Sequence, residues 1–170
     1  MNIDLIAKLK DTDAFMGAYR PGDEAREYDG KSLLFYSLSN SDPESRYRIS
    51  SFLLDKGADA AGVNGEDEGV LHILLSRILR EENNIGQVAE LCRRLIAAGA
   101  DVSQLDKKGR SCLQYLVMNN CFEEELLPLY DILLVEDSRL PFEKNAWGKS
   151  PVELAEIKGT RPEFVKRAGA

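Results

Sequence analysis

Apolar residues recur at helical spacing along most of the chain. The stripe Leu71, Leu74, Leu75, Ile78 and Leu79 advances in steps of three and four, and after the polar break Glu81-Glu82-Asn83-Asn84 a second runs Ile85, Val88, Cys92, Leu95 and Ile96. Each predicts an amphipathic helix that buries one face. Gly57 and Gly99 stand just past the last apolar residue of such stripes, where a left-handed residue ends a helix and only glycine has no Cβ to clash. Ser32, Ser111 and Ser150 precede apolar runs and are expected to cap the free amides of a helix start, whereas the second run opens on Gly69, a weaker cap. Short helices are also predicted over residues 2–10 and 13–19 near the start, and over 151–158 and 161–168 at the end.

The pattern repeats. Gly30-Lys-Ser-Leu-Leu, Asp67-Glu-Gly-Val-Leu, Gly109-Arg-Ser-Cys-Leu and Gly148-Lys-Ser-Pro-Val align, with Leu34, Leu71, Leu113 and Val152 spaced by 37, 42 and 39 residues. A second motif keeps step with the first: Gly57-Ala-Asp59 and Gly99-Ala-Asp101 each close a helix and lead into the next unit's loop. Each unit therefore reads helix, turn, helix, loop. A fixed period in this range signals stacked units that share a continuous core. One domain is expected, with an N-terminal cap over 1–29, repeats over 30–66, 67–106 and 107–145, and a closing repeat and cap over 146–170.

These residues resemble ankyrin repeats. The family's Gly-x-Thr-Pro-Leu-His start is echoed by Gly148-Lys-Ser-Pro-Val, by Gly109-Arg-Ser-Cys-Leu and by Leu71-His72, and its Gly-Ala-Asp end by residues 57–59 and 99–101. The third unit ends in Leu133-Leu-Val-Glu-Asp137 instead, and the spacing exceeds the family's 33. The excess is expected between paired helices, around Ser41-Asp42-Pro43-Glu44, Glu81 to Asn84, and Asn119 to Glu125. The resemblance implies an all-α solenoid of helix-turn-helix units joined by hairpin-like loops. A tetratricopeptide-type array is the alternative, disfavoured because such hairpins pack without Gly-Ala-Asp loops.

Composition narrows the function. The 170 residues are 44% hydrophobic and 30% charged, which fits one folded domain, and the net charge of −7 is the wrong sign for coating nucleic acid. Charge is uneven, −6 over residues 1–85 and −1 over 86–170. Asp4, Lys8, Lys10 and Asp11 interrupt the only apolar start, so neither an export signal nor a membrane span is expected, and the chain is placed in the cytoplasm. Three cysteines and one histidine supply no zinc set and fit reduced thiols.

Candidate chemistry is sparse. His72 occupies the family's histidine position, where the resemblance implies a ring that hydrogen-bonds backbone and ties successive loops together. Cys92 lies on an apolar stripe and Cys112 replaces the motif proline, so both are expected to be buried; Cys121, after Asn119-Asn120, is the cysteine expected to reach solvent. The runs Glu66-Asp67-Glu68, Glu81-Glu82 and Glu123-Glu124-Glu125 diverge rather than converge and read as solvated faces. Calcium-loop, P-loop, dinucleotide and nucleophile-elbow spacings are all absent, so no cofactor and no metal is expected.

The resemblance places partner contacts on the loop tips and the adjoining helix face. Those positions are Tyr28, Asp29 and Lys31, then Glu66 and Glu68, then Lys107, Lys108 and Arg110, and finally Trp147 and Lys149, with Ser39, Asn40, Ser76, Arg77, Met118 and Asn119 along the helices. Trp147 is either a binding anchor or a filler against Pro141 and Phe142, and of Phe35 and Tyr36 one is expected to pack and one to face the hollow. The reading is a non-enzymatic module that binds another protein and is monomeric when free. Small acidic repeat proteins of this kind resemble immunity proteins that block a cognate bacterial toxin, so a basic toxin domain is the sharper expectation. An intracellular adaptor or scaffold is the alternative, and a hydrolase using Cys121 or His72 the remote one.

Overall fold

The apolar stripes fall on helices, the first of them ending at Ser76, short of Ile78, and the computed structural model describes residues 1–78 and 84–169, so Leu79 and the predicted break at Glu81, Glu82 and Asn83 lie outside the described residues. The described part is all-α. Its helices are α1 (Ile3–Leu9), α2 (Thr12–Ala18), α3 (Leu33–Leu38), α4 (Pro43–Asp55), α5 (Val70–Ser76), α6 (Ile85–Ala97), α7 (Cys112–Met118), α8 (Glu123–Leu133), α9 (Pro151–Lys158) and α10 (Pro162–Gly169). Short 3-10 turns at Asp23–Ala25 and Leu140–Phe142 and a two-stranded ribbon of β1 (Glu27–Tyr28) and β2 (Lys31–Ser32) complete it. No helix among the described residues is long and apolar enough to cross a membrane.

The helices pack in two rows. In the first, α1, α3, α5, α7 and α9 follow one another; in the second, α2 meets α4, α4 meets α6 and α6 meets α8. Between the rows runs one continuous core, from Ala7 and Phe15 through Leu34, Leu53, Leu71, Cys92 and Leu113 to Tyr130 and Phe164. Aromatic edges close both ends: Tyr19 meets Phe52 at 4.8 Å between α2 and α4, and Tyr130 meets Phe164 at 5.4 Å between α8 and α10. Phe35 and Tyr36 are both buried, so the expected division between them does not occur; the Tyr36 hydroxyl escapes isolation by donating to Tyr28 O at 2.7 Å.

Helix ends follow the sequence signals in part. Gly57 and Gly99 take φ of 86° and 107° just past α4 and α6, as a left-handed terminator requires. Asp42 caps α4 by accepting from Ser45 N at 2.9 Å, with Pro43 at the first helical position, where its missing amide costs nothing. Ser150 caps α9, but Ser32 and Ser111 do not cap: both hydroxyls are buried without a partner among the described residues. At α5, where Gly69 has no side chain to cap the first-turn amides, the His72 ring supplies the return half of a capping box by accepting from Gly69 N at 3.2 Å.

Neighbouring units finish one another's helices. The last carbonyls of a helix have no partner within it, and here the next unit supplies donors. Asn40 Nδ2 donates to Ala7 O and Lys10 O at the end of α1, at 3.0 and 2.9 Å. Arg161, 2% exposed, donates to Val117 O in the last turn of α7 and to Asn119 O and Cys121 O just beyond it, at 3.1, 2.8 and 3.0 Å, and Lys158 also donates to Asn119 O. In the other direction, Glu123 at the start of α8 accepts from Glu163 N and Phe164 N, the free amides of α10, at 3.1 and 3.0 Å. Asn40 and Asn119 therefore serve the interior joints rather than the hollow. Glu123 is half-buried and spent on α10, whereas Glu124 and Glu125 are exposed as the solvated reading expects, Glu125 also accepting from Phe122 N at 2.9 Å at the start of α8.

Candidate protein-binding surface

Four loop fingers project from the starts of α3, α5, α7 and α9. The first is a two-residue hairpin whose central Asp29 and Gly30 have φ of 51° and 70°, the doubly left-handed turn that Asp-Gly favours. The other three share a different device. Asn64, Asp106 and Asn145 each use one side-chain oxygen to accept two backbone amides: Glu66 N and Glu68 N, Lys108 N and Arg110 N, Trp147 N and Lys149 N. Three residues after each stands a left-handed position, filled by Asp67, Gly109 or Gly148 with φ of 59°, 68° and 71°. The sequence signal is an Asn or Asp three residues ahead of the turn, which the alignment on glycine passes over.

The fingers are stitched in line. Lys107 N donates to Glu66 O at 3.0 Å and Ala146 N donates to Lys108 O at 2.8 Å, which fixes the second finger to the third and the third to the fourth. Among the described residues no such bond joins the first finger to the second, and a cleft of about 240 Å³ opens there beside Glu27, Gly30, Lys31, Gly62 and Val63. The His72 ring completes the ladder. Since its Nδ1 accepts from Gly69, the proton sits on Nε2 and is donated to Arg110 O at 2.8 Å.

No cysteine is placed for nucleophilic work. Cys92, Cys112 and Cys121 are all buried, and the expectation of an exposed Cys121 is corrected by its 4% exposure beneath the α7–α8 turn. Burial pushes the Cys112 thiol up to about 12 and raises the Cys92 thiol as well, opposite to what a reactive thiolate needs.

The predicted contact residues divide by what they already touch. Tyr28 is half-buried and donates to Asp23 at 3.0 Å; Lys31 lies over the Tyr36 ring at 5.2 Å. Glu68 accepts from Asn64 Nδ2 and from the Tyr115 hydroxyl. Arg110 donates to Asp106 at 2.7 Å and stacks over Tyr115 at 5.2 Å. Burial works to raise the Asp106 carboxyl, and the amides of Arg110 and Lys108 with the Arg110 side chain outweigh it, so the acid is held below its ordinary range. Asp29, Glu66, Lys107, Lys108 and Lys149 are exposed, and so are Met118 at 50% and Arg77 at the end of α5. Trp147 is 62% exposed in the fourth finger rather than packed away, with the Lys108 ammonium 5.8 Å over its ring. The structure thus brings Glu66, Lys107, Lys108, Trp147 and Lys149 onto one stitched edge and turns Glu68 and Arg110 inward to support it.

No family model matches the chain, and no curated protein matches it. Solved structures do share the fold. One, a functionally unknown protein from Leptotrichia buccalis C-1013-b, superposes with a TM-score of 0.84 at 24% identity, over 99% of this chain and 91% of that one. Matching chains number 259, and likeness of fold does not by itself select a function.

Proposed function

We propose that the chain is an ankyrin-type solenoid and a non-enzymatic module that binds another protein along its finger row. Support for the family assignment comes from the repeated left-handed turns, the two helical rows and the His72 ring spanning two fingers. The observation that carries the binding reading is the exposed Trp147 held on a rigid, stitched turn. A large aromatic side chain with no place in the core, presented on fixed backbone, is the usual anchor of a protein interface. Buried thiols and a histidine occupied by backbone bonds weigh against the hydrolase alternative at Cys121 or His72.

Charge along the row orients the partner. The first two fingers expose Glu27, Asp29, Glu66 and Asp67, while the third and fourth expose Lys107, Lys108 and Lys149. In its sharper form the proposal makes the protein an immunity factor in the cytoplasm, with the acidic fingers covering a basic toxin domain and drawing it in electrostatically. The test compares wild type with a Glu66→Ala, Lys107→Ala, Trp147→Ala variant in affinity capture from the source cell. Wild type should retain one stoichiometric protein that the variant loses while melting at an unchanged temperature. Equal retention by both removes the finger row as the interface, and an on-rate that does not change with salt removes the immunity form.

A further inference from the structure

We infer that the corner formed by the third and fourth fingers is a docking site for an acidic protein segment carrying an apolar residue, with Trp147 as its floor and Lys107, Lys108 and Lys149 as its rim. The inference rests on the finger row being the partner-facing surface and assigns the chemistry of one half of it.

The corner is fixed before any partner arrives. Asn145 Oδ1 holds the backbone amides of Trp147 and Lys149 at 2.9 and 3.1 Å, and the bond from Ala146 N to Lys108 O locks the two turns together. A side chain on such a base loses little backbone freedom on binding, which is where preorganised sites gain affinity. The indole is exposed although burying it would stabilise the fold, and no core residue needs it there.

The neighbouring cations are free of close ion pairs among the described residues, with Lys108 over the Trp147 ring and Lys149 near enough to help hold the Glu153 carboxyl below its ordinary range. Arg110 is engaged by Asp106 and Lys144 by Glu153, but Lys107, Lys108 and Lys149 form no ion pair among the described residues. One lysine over the exposed ring, Lys108, with Lys107 beside it on the third finger and Lys149 two residues along the fourth, stands out in a chain whose acids exceed its bases by 7. An indole face takes an apolar side chain, and ammonium groups around it take carboxylates flanking that side chain. Polyphosphate also suits lysine and tryptophan, but Glu66 is stitched directly to Lys107 and Asp67 follows it, so a uniformly charged strand leaving the corner meets carboxylates. A short acidic segment does not have to extend that far.

Trp147 is the only tryptophan, so its emission reads the corner directly. The probe is a short peptide with glutamates flanking one leucine, titrated beside a lysine-leucine peptide and a single-stranded oligonucleotide. The glutamate peptide should shift the emission to the blue, with affinity that falls as salt rises. By labelled-peptide anisotropy, Lys108→Ala and Lys149→Ala should each weaken binding about two- to fivefold, as rim charges do. Trp147→Ala should weaken it at least about tenfold. No response to the glutamate peptide, an equal response to the lysine peptide, or a stronger one to the oligonucleotide overturns the inference. If Glu66→Ala alone abolishes capture while Trp147 emission stays unmoved by the captured partner, the finger row stands and this corner falls.

Discussion

Replacing Arg161 with Met keeps most of the side-chain stem and removes the guanidinium, which tests whether units are held together by donors reaching across their junction. Arg161 is 2% exposed, and its bonds to Val117 O and Cys121 O are buried at 3.1 and 3.0 Å. Asn119 O retains Lys158 as a donor, and the adjoining cleft of about 500 Å³ gives water access to the rest. The loss therefore falls on two deep carbonyls, each costing about 1–3 kcal/mol when left unsatisfied. Against this stands the recovered desolvation of a buried cation, itself worth several kcal/mol. Because the guanidinium is satisfied by at least four acceptors, the carbonyl loss should win, with a net destabilisation of about 2–4 kcal/mol. Urea unfolding followed by far-ultraviolet dichroism and by Trp147 emission measures it, the tryptophan reporting the C-terminal unit. The tryptophan midpoint should fall further than the dichroism midpoint, since array ends uncouple first. A loss below about 1 kcal/mol, or a gain, would show that desolvation dominates and that the junction is held by the core alone.

Other expectations are as direct. Gly109→Ala should cost about 2 kcal/mol or more, because φ is 68° and the new Cβ would come within 3.3 Å of Asn145 Cα; Gly148→Ala, with φ of 71° and open space, should cost only the backbone strain of about 1–2 kcal/mol. Equal losses in thermal or urea unfolding would refute the close approach. Asp106→Asn should preserve the third finger, since asparagine does the same work at 64 and 145, yet lose about 1–2 kcal/mol with the Arg110 pair. The Asp106 carboxyl is lowered by folding, so its contribution is complete above an ordinary value near 4 and disappears as pH falls through the lowered one; the variant should flatten that part of the stability curve. An unchanged slope between wild type and variant would count against the pair. A disulfide reagent at neutral pH should label Cys92, Cys112 and Cys121 only as fast as the structure opens, and rapid labelling of any one would contradict its burial.

Helical periodicity made the rows legible. Leu71, Leu74, Leu75 and Ile78 are buried where the stripe puts them, and Gly57 and Gly99 end helices as glycines of positive φ. Short-range signals were weaker guides, since Ser32 and Ser111 look like caps in sequence and their hydroxyls have no partner among the described residues. Helix-end repair across units was invisible: Asn40 reaches 33 residues back to Ala7, and Glu123 reaches 41 forward to Phe164. Nothing local distinguishes those side chains from solvated ones. The candidate surface was readable as a set of positions, because finger tips follow from the repeat. Which of them are spent was not: Tyr28 and Arg110 are engaged by Asp23 and Asp106 four or five residues away, a local pairing that spacing alone does not specify, and Glu68 also meets Tyr115, 47 residues on.

Reciprocal finishing of helix ends bears on how such a chain can change its length over evolution. An array of self-sufficient modules can gain or lose one by duplication or deletion with a single new boundary. Here the unit containing α9 and α10 leaves with Arg161 and Lys158, stripping donors from α7, and the unit containing α7 and α8 leaves with Glu123, stripping the acceptor from α10. An excision needs compensating substitutions on both sides of the scar at the same time. The closing unit is therefore held in place by chemistry at its joint, which leaves the exposed finger tips as the positions where a side chain can be exchanged without disturbing that joint.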